Sequence, residues 1–342
     1  MAKSFQDTIV LFGDSITQEW AAGSLAHRFT SAYSRRLDVL NRGFGGYTSE
    51  WNLPIFEKAF AKKKEQKGCP VVRLVTLWLG ANDSTFPQRH QHLPLEKYSE
   101  NMKYYVRSIL SPSSEYYQPH AYVLLLTPPP LVEKMREEAK LQYPPEQRTP
   151  ADRSLDNTKR YRDEIIKIGA EFKRTNPEFA DKLRVIDTWA PLIAAAGGDV
   201  RDEKAMRRFF TDGLHMTSEG YEIVYNACLD VIKKDFKGLD PDDQTSLPMT
   251  FPHWDSVDPK AVRKTVVQAK PKYVVAQKAE TGFQSNVLAK LLLFAFLVAV
   301  VPIATYFTTI KHAFDGEQLD VCCNRRHRVC QHCHGSLRSS GL

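Results

Sequence analysis

The sequence predicts an α/β protein, a parallel β-sheet sandwiched between helices. Apolar runs of strand length recur at residues 8–12, 37–40, 71–79, 121–126 and 183–186. They are rich in Val, Ile and Leu and read as continuous rather than alternating, as strands buried on both faces do. Helical patterns fall between them, at 27–36, 50–64, 95–110, 152–174 and 217–234. Alternation of strand and helix is the mark of a parallel sheet covered on both sides. In such sheets the loops at the carboxyl ends of the strands carry the functional site.

Taken in order, the first strand runs into Gly13-Asp14-Ser15. The second is followed by "NRGFGGYTSEW", which holds Asn41, Gly43, Gly45 and Gly46. The third ends in "LGANDS", with Asn82 and Asp83, and the fourth in three prolines. Residues 135–153 are charged and contain prolines, and they read as a surface excursion. After the fifth strand, "TDGLHMTSEGY" brings Asp212 and His215 just ahead of the last helix. Thr217 is placed to cap that helix, and Glu219 sits in its first turn, where the helix dipole favours an anion. Residues 239–284 change character, with many prolines and acids at first and no period. They are expected to strap back onto the body through Phe251 and Trp254 and then to continue as a basic linker.

The chain of 342 residues is 42% hydrophobic and 25% charged, with a formal net charge of +7. It is long enough for a sizeable core. The basic residues are scattered, with no dense basic helix interleaved with exposed aromatics, so nucleic acid is not the expected partner. Cys69 and Cys228 lie far apart, and Cys322, Cys323, Cys330 and Cys333 crowd the tail. That is not a secreted disulfide framework. The opening residues have too short an apolar run for a signal-peptide core, and the body is expected in the cytosol.

Residues 287–310 carry no charge except Lys290. Their length suits a bilayer span of about 20 apolar residues, with Lys290 placed to snorkel and Pro302 tolerable inside. The expected organisation is a folded catalytic-size domain at 1–260, a flexible basic linker at 261–286, a transmembrane helix at 287–310 and a Cys/His-containing tail at 311–342. The span would tail-anchor the body to an intracellular membrane such as the endoplasmic reticulum.

Four strand-end segments are best weighed together. A serine hydroxyl is a weak nucleophile at neutral pH and needs a base held in the right tautomer. His215 is the candidate base, Asp212 the group that orients it, and Ser15 the nucleophile. The developing oxyanion needs donors, and the candidates are the N–H groups of Ser15 and Gly46 and the amide of Asn82. Glycine at 46 is read as allowing close backbone approach. Each segment has a plainer reading alone: Asp14 or Ser15 as a helix cap, the glycines as a turn, the Asp-x-x-His as a capping pair. Their joint occurrence at strand ends favours chemistry.

These four blocks resemble, in order and spacing, those of the SGNH (GDSL-type) hydrolases, through Ser15, Gly46, Asn82 and His215, with Asp212 completing the triad. Within that superfamily the chain looks most like the isoamyl acetate-hydrolysing esterase group, on "VLFGDSITQ", "LNRGFGGYTS", "LWLGANDS", "LLTPPP", "DGLHMTSEGY" and "LPMTFPHWDSVDP". The likeness covers about residues 5 to 260. It implies a flavodoxin-like three-layer α/β/α fold and a carboxylic ester hydrolase of small acyl esters, with neither metal nor cofactor. Asp14, Asn41 and Asp83 are expected to brace the loops, and residues 85–95 to wall the acyl pocket. His90 and His92 in that stretch lack a carboxylate or cysteine companion for metal binding. A homo-oligomer is compatible with the sequence.

Residues 285–316 resemble the first membrane helix of the vacuolar-ATPase assembly factor of the endoplasmic reticulum, on "LLLF", "VPIATYFTT" and Phe-Asp-Gly. No second apolar span follows. The Cys/His tail fits no known zinc-finger spacing, and joined coding regions are an alternative origin for it. A protein of a different class, a membrane-anchored assembly or scaffold protein with an incidental hydrolase body, is the rival reading.

Overall fold

The computed structural model describes residues 6–147 and 149–267. Five parallel strands, β1 (Asp7–Gly13), β2 (Leu37–Gly43), β3 (Val72–Trp78), β4 (Tyr122–Leu126) and β5 (Leu183–Ile186), form one sheet in the order β2-β1-β3-β4-β5. This is the flavodoxin-like order, whose topological switch point lies between β1 and β3. The helices are α1 (Ser15–Gln18), α2 (Leu25–Ala32), α3 (Leu53–Ala59), α4 (Leu95–Leu110), α5 (Glu133–Lys140), α6 (Leu155–Thr175), α7 (Trp189–Ala195), α8 (Glu203–Met206), α9 (Ser218–Asp235) and α10 (Val262–Val267).

The continuous apolar runs are explained by the two covered faces. Val10, Phe12, Val75, Leu77, Val123 and Leu125 point to one face and join Phe56 of α3, Met102 and Tyr105 of α4, and Ile165 and Phe172 of α6 in one core. The alternate residues Ile9, Leu11, Leu74, Leu124 and Leu126 are equally buried on the other face. There Trp78 packs edge-on to Tyr221 of α9 at 6.5 Å, and Phe29 of α2 packs against Tyr225 at 5.4 Å. The period-2 alternation of strand side chains delivers residues to both layers, and the result is a three-layer α/β/α sandwich.

The surface excursion holds, and other expectations need correction. The described residues of 135–152 do lie at the surface, where most of α5 falls, and only Arg153 at the end of the stretch is buried. In the segment after α9, Trp254 is 78% exposed and does not bury its ring against the body. The segment docks through buried Leu239 and Leu247 and through backbone carbonyls. Tyr33 Oη donates to Leu239 O, Arg36 Nε to Leu247 O, and Arg35 Nη2 to Phe251 O and Pro252 O. Carbonyls in an aperiodic, proline-bearing stretch have no ladder partners, and these arginines satisfy them. The start of the expected linker is the short helix α10, whose first turn closes with the Lys264 and Thr265 N–H groups on Ala261 O.

Among the described residues no helix is long and apolar enough to cross a membrane. The expected span at 287–310, the Cys/His tail and most of the linker lie outside the described residues.

Candidate active site

The end of β1 leads directly into α1. Asp14 is the cap: its Oδ1 accepts the N–H of Ile16 at 3.0 Å. The plainer reading of the Gly-Asp-Ser turn therefore holds for Asp14, and it leaves the next residue free. Ser15 is the first helical residue, where an N–H has no intrahelical acceptor. Its hydroxyl lies 2.9 Å from Nε2 of His215, 200 residues away.

His215 sits on a tight loop between Phe210 and Met216, which form an isolated antiparallel bridge. The Thr211 N–H donates to His215 O, the Thr217 N–H donates to Phe209 O, and the Thr217 hydroxyl caps α9 by accepting from Gly220 N–H. Asp212 Oδ1 accepts the N–H groups of Leu214 and His215 at 3.0 and 2.8 Å. Its Oδ2 lies 2.9 Å from His215 Nδ1. An ionised carboxylate only accepts, so Nδ1 carries the proton and Nε2 is left to accept from Ser15. Burial pushes the Asp212 carboxyl up, but the His215 hydrogen bonds, with the charges of His215 and Arg136, outweigh it and hold it well below the usual carboxylate range.

Gly213 shows why this loop has its sequence. Its φ is +84°, and a Cβ there would lie 2.4 Å from Val132 O and 2.7 Å from Arg136 N. The loop thus rests on the first turn of α5, whose cap residue Val132 donates its N–H to Gly213 O at 2.9 Å.

Gly46 has a φ of +78°, and an added Cβ would meet only Gln91 Nε2, at 3.5 Å. Glycine suits that left-handed backbone. Gln91 Nε2 donates to Gly46 O at 2.7 Å, and the Asn82 amide donates to Tyr47 O at 3.0 Å. An amide nitrogen has two hydrogens, so one of Asn82's remains beyond that bond.

The bracing residues have distinct tasks. Asn41 Nδ2 donates to Thr17 O at 2.8 Å, and its Oδ1 accepts Gly43 N–H at 2.9 Å, joining the end of α1 to the loop after β2. Asp83 Oδ1 accepts the N–H and hydroxyl of Ser49 at 2.9 and 2.6 Å, tying the loop after β3 to the glycine loop. Both buried acids are shifted upward. Burial pushes Asp83 up to about 6 against the Ser49 hydrogen bonds, and Asp14 up to about 7 against the Ile16 bond.

Two residues escaped the sequence reading. Arg136 Nη1 lies 2.5 Å from Asp212 Oδ2. Arg153, with its side chain 4% exposed, donates from Nη1 to Ala81 O at 2.9 Å and pairs with Asp152 at 3.1 Å. Neither has a sequence signal, because a polar, proline-bearing stretch gives no period to place it. His90 stacks on Trp51 with ring centroids 5.5 Å apart, and His92 Nδ1 lies 2.6 Å from Thr85 O. Among the described residues no group of His, Cys, Asp and Glu is arranged to hold a metal ion.

A serine, an imidazole and a carboxylate are thus linked by hydrogen bonds beside the carboxyl ends of the strands, an arrangement that hydrolases of several folds share. A profile of the GDSL-like Lipase/Acylhydrolase family matches residues 11–223, and the chain belongs to this family. It is 30% identical over 257 residues to a GDSL esterase/lipase of Arabidopsis thaliana, covering 74% of this chain and 94% of the relative. It is also 30% identical over 261 residues to an isoamyl acetate-hydrolyzing esterase 1 homolog of Homo sapiens, covering 73% of this chain and 87% of the relative. Among solved structures it is similar to a GDSL-like lipase from Bacteroides thetaiotaomicron, at 19% identity and a TM-score of 0.45, covering 68% of this chain and 92% of the other. The protein is an enzyme acting on ester bonds. None of these matches supports the likeness of the C-terminal segment to a membrane helix of the vacuolar-ATPase assembly factor.

Proposed function

We propose that the protein hydrolyses small acyl esters, of the acetate type, by a Ser15–His215–Asp212 mechanism. The observation that carries the reading is the unbroken chain from Ser15 Oγ through His215 to Asp212, with both links at 2.9 Å. Ser15 Oγ attacks the ester carbonyl as His215 Nε2 takes its proton, and Asp212 steadies the imidazolium. The carbonyl oxygen becomes an oxyanion received by the N–H groups of Ser15 and Gly46 and by the Asn82 amide. The tetrahedral intermediate collapses, the carbon–oxygen bond to the alcohol breaks, and His215 returns the proton to the leaving oxygen. Water, deprotonated by His215, then attacks the acyl-enzyme carbonyl. The acid departs as Ser15 regains its proton.

The preference for small acyl groups is supported by the relatives named for isoamyl acetate hydrolysis. Beside Gly46, Tyr47, Trp51 and His90 form a strip of rings with successive centroids 6.1 and 5.5 Å apart, which we take as the side of the acyl site to which residues 85–95 contribute. Purified protein assayed on p-nitrophenyl acetate, butyrate and octanoate tests both parts. Ser15→Ala is expected to lower turnover by about six orders of magnitude with an unchanged melting curve, and the acetate ester is expected to be the preferred substrate. Retained turnover in that variant would end the triad reading, and a preference for octanoate would end the small-acyl one.

A further inference from the structure

We infer that Arg136 is a positioning residue whose guanidinium charge sets the acidic limit of the enzyme's activity, acting through Asp212 on His215. The inference rests on the triad proposed above. Its basis is the sharing of one oxygen: Asp212 Oδ2 receives both Arg136 Nη1 at 2.5 Å and His215 Nδ1 at 2.9 Å. Oδ1 is already filled by two backbone N–H groups. Arg136 and the imidazole therefore draw on the same lone-pair density.

A second observation shows that this contact is built into the fold. The first turn of α5 lies on Gly213, with no room for a Cβ between them, and is tied to it by the Val132 N–H. The guanidinium is thus delivered to Asp212 by backbone packing, with its side chain only 21% exposed. The Arg136 Nε is buried without a hydrogen-bond partner. That unmet donor is a cost, tolerated where Nη1 makes a charge-assisted bond to the carboxylate.

The charged groups around the pair fix the expected sign. Asp14, at the start of α1, faces His215 as an acid whose carboxyl burial has pushed up to about 7. Behind Arg136 stands Asp152, which is itself engaged by Arg153 and Lys140 at 3.1 and 3.4 Å. Arg208 and Glu219, near the ends of the loop, pair with each other. Arg136 is thus the cation in direct contact with the dyad. A cation sharing the carboxylate weakens that carboxylate's hold on an imidazolium. Without that cation the carboxylate would hold an imidazolium more tightly. The same bond fixes the carboxylate plane and with it the direction of Nε2 toward Ser15.

The test is the pH profile of kcat/KM for p-nitrophenyl acetate with the full chain, which reports ionisations of the free enzyme. Arg136→Gln is expected to move the acidic limb to higher pH by roughly half a unit to one unit. Its plateau kcat is expected to fall several-fold with KM little changed. Arg136→Lys keeps the charge and is expected to leave the limb where it is in the parent. A limb unmoved in Arg136→Gln overturns the inference. Should Arg136→Gln and Arg136→Met both fail to fold while Arg136→Lys behaves as the parent, the arginine is a scaffold contact and the inference is overturned as well. Ser15→Ala run alongside separates the two failures: activity there removes the triad itself, whereas an inactive Ser15→Ala with a parental Arg136→Gln profile removes only the role of Arg136.

Discussion

The loops that end β1 and β3 and the loop that carries Asp212 and His215 meet at a single hydrogen bond, yet they are held in different ways. Asp14, Asn82 and Asp83 are buried, and their loops continue strands in the centre of the sheet. Asp212 and His215 are 25% and 39% exposed and belong to no strand of the sheet. Their position comes from a local Asx-type turn, a glycine pressed on α5 and an ion pair. The seat of Ser15, the proposed nucleophile, is set by the hydrophobic core, which is close-packed and resists displacement. The base's seat is set by a few polar contacts, and changes of one or two side chains can adjust it.

This contrast can be sharpened at its two ends. On the rigid side, Asn82→Ala removes the proposed oxyanion donor together with its bond to Tyr47 O. Turnover on p-nitrophenyl acetate is expected to fall about 100- to 1000-fold with KM little changed, and steady-state kinetics checks it. On the adjustable side, Gly213→Ala forces a Cβ against Val132 O and an alanine into a left-handed backbone. A displacement of the base by about 1 Å costs on the order of 100-fold in rate. The melting temperature should fall as well, by a loss of about 2–4 kcal/mol. A variant with parental activity would show that α5 does not place the loop.

The smallest effect concerns pH and the rigid side. Asp14 is raised in the folded protein to about 7 from an ordinary 3.8, so the folded state keeps a proton that the unfolded chain has released. Its stabilising contribution is complete at low pH and is lost as pH rises from about 4 through about 7. Asn at this position still caps Ile16 and has no proton to lose. Asp14→Asn is expected to flatten the decline in stability between about pH 5 and about pH 8, and denaturant melts at both pH values measure it. A parental slope would mean that Asp14 is ionised throughout.

The same contrast separates what the sequence made legible from what it did not. The parallel sheet, the strand-end blocks and the Thr217 cap follow from continuous apolar runs and short local motifs, and β5 and α4 have the predicted bounds. The hydrogen-bonded positions of Asn41 and Asp83 agree with loop bracing for the same reason: they lie next to strands. Arg136 and Arg153 were invisible because their partners, Asp212 and Ala81, are 76 and 72 residues away, and no periodicity encodes such a pairing. The strap after α9 was misjudged on side chains, since large aromatics suggest burial. Its anchors are the buried Leu239 and Leu247 and several backbone carbonyls, and carbonyls are common to every residue.

The 200-residue separation of Ser15 and His215 also orders events at the ribosome. The serine and both central strands are synthesised long before the imidazole, so a growing chain can assemble much of its sheet while remaining chemically silent. Only when the start of α9 has left the exit tunnel can the hydroxyl gain its base. Truncated products ending before that point are therefore born without an activated serine, whatever else they have folded.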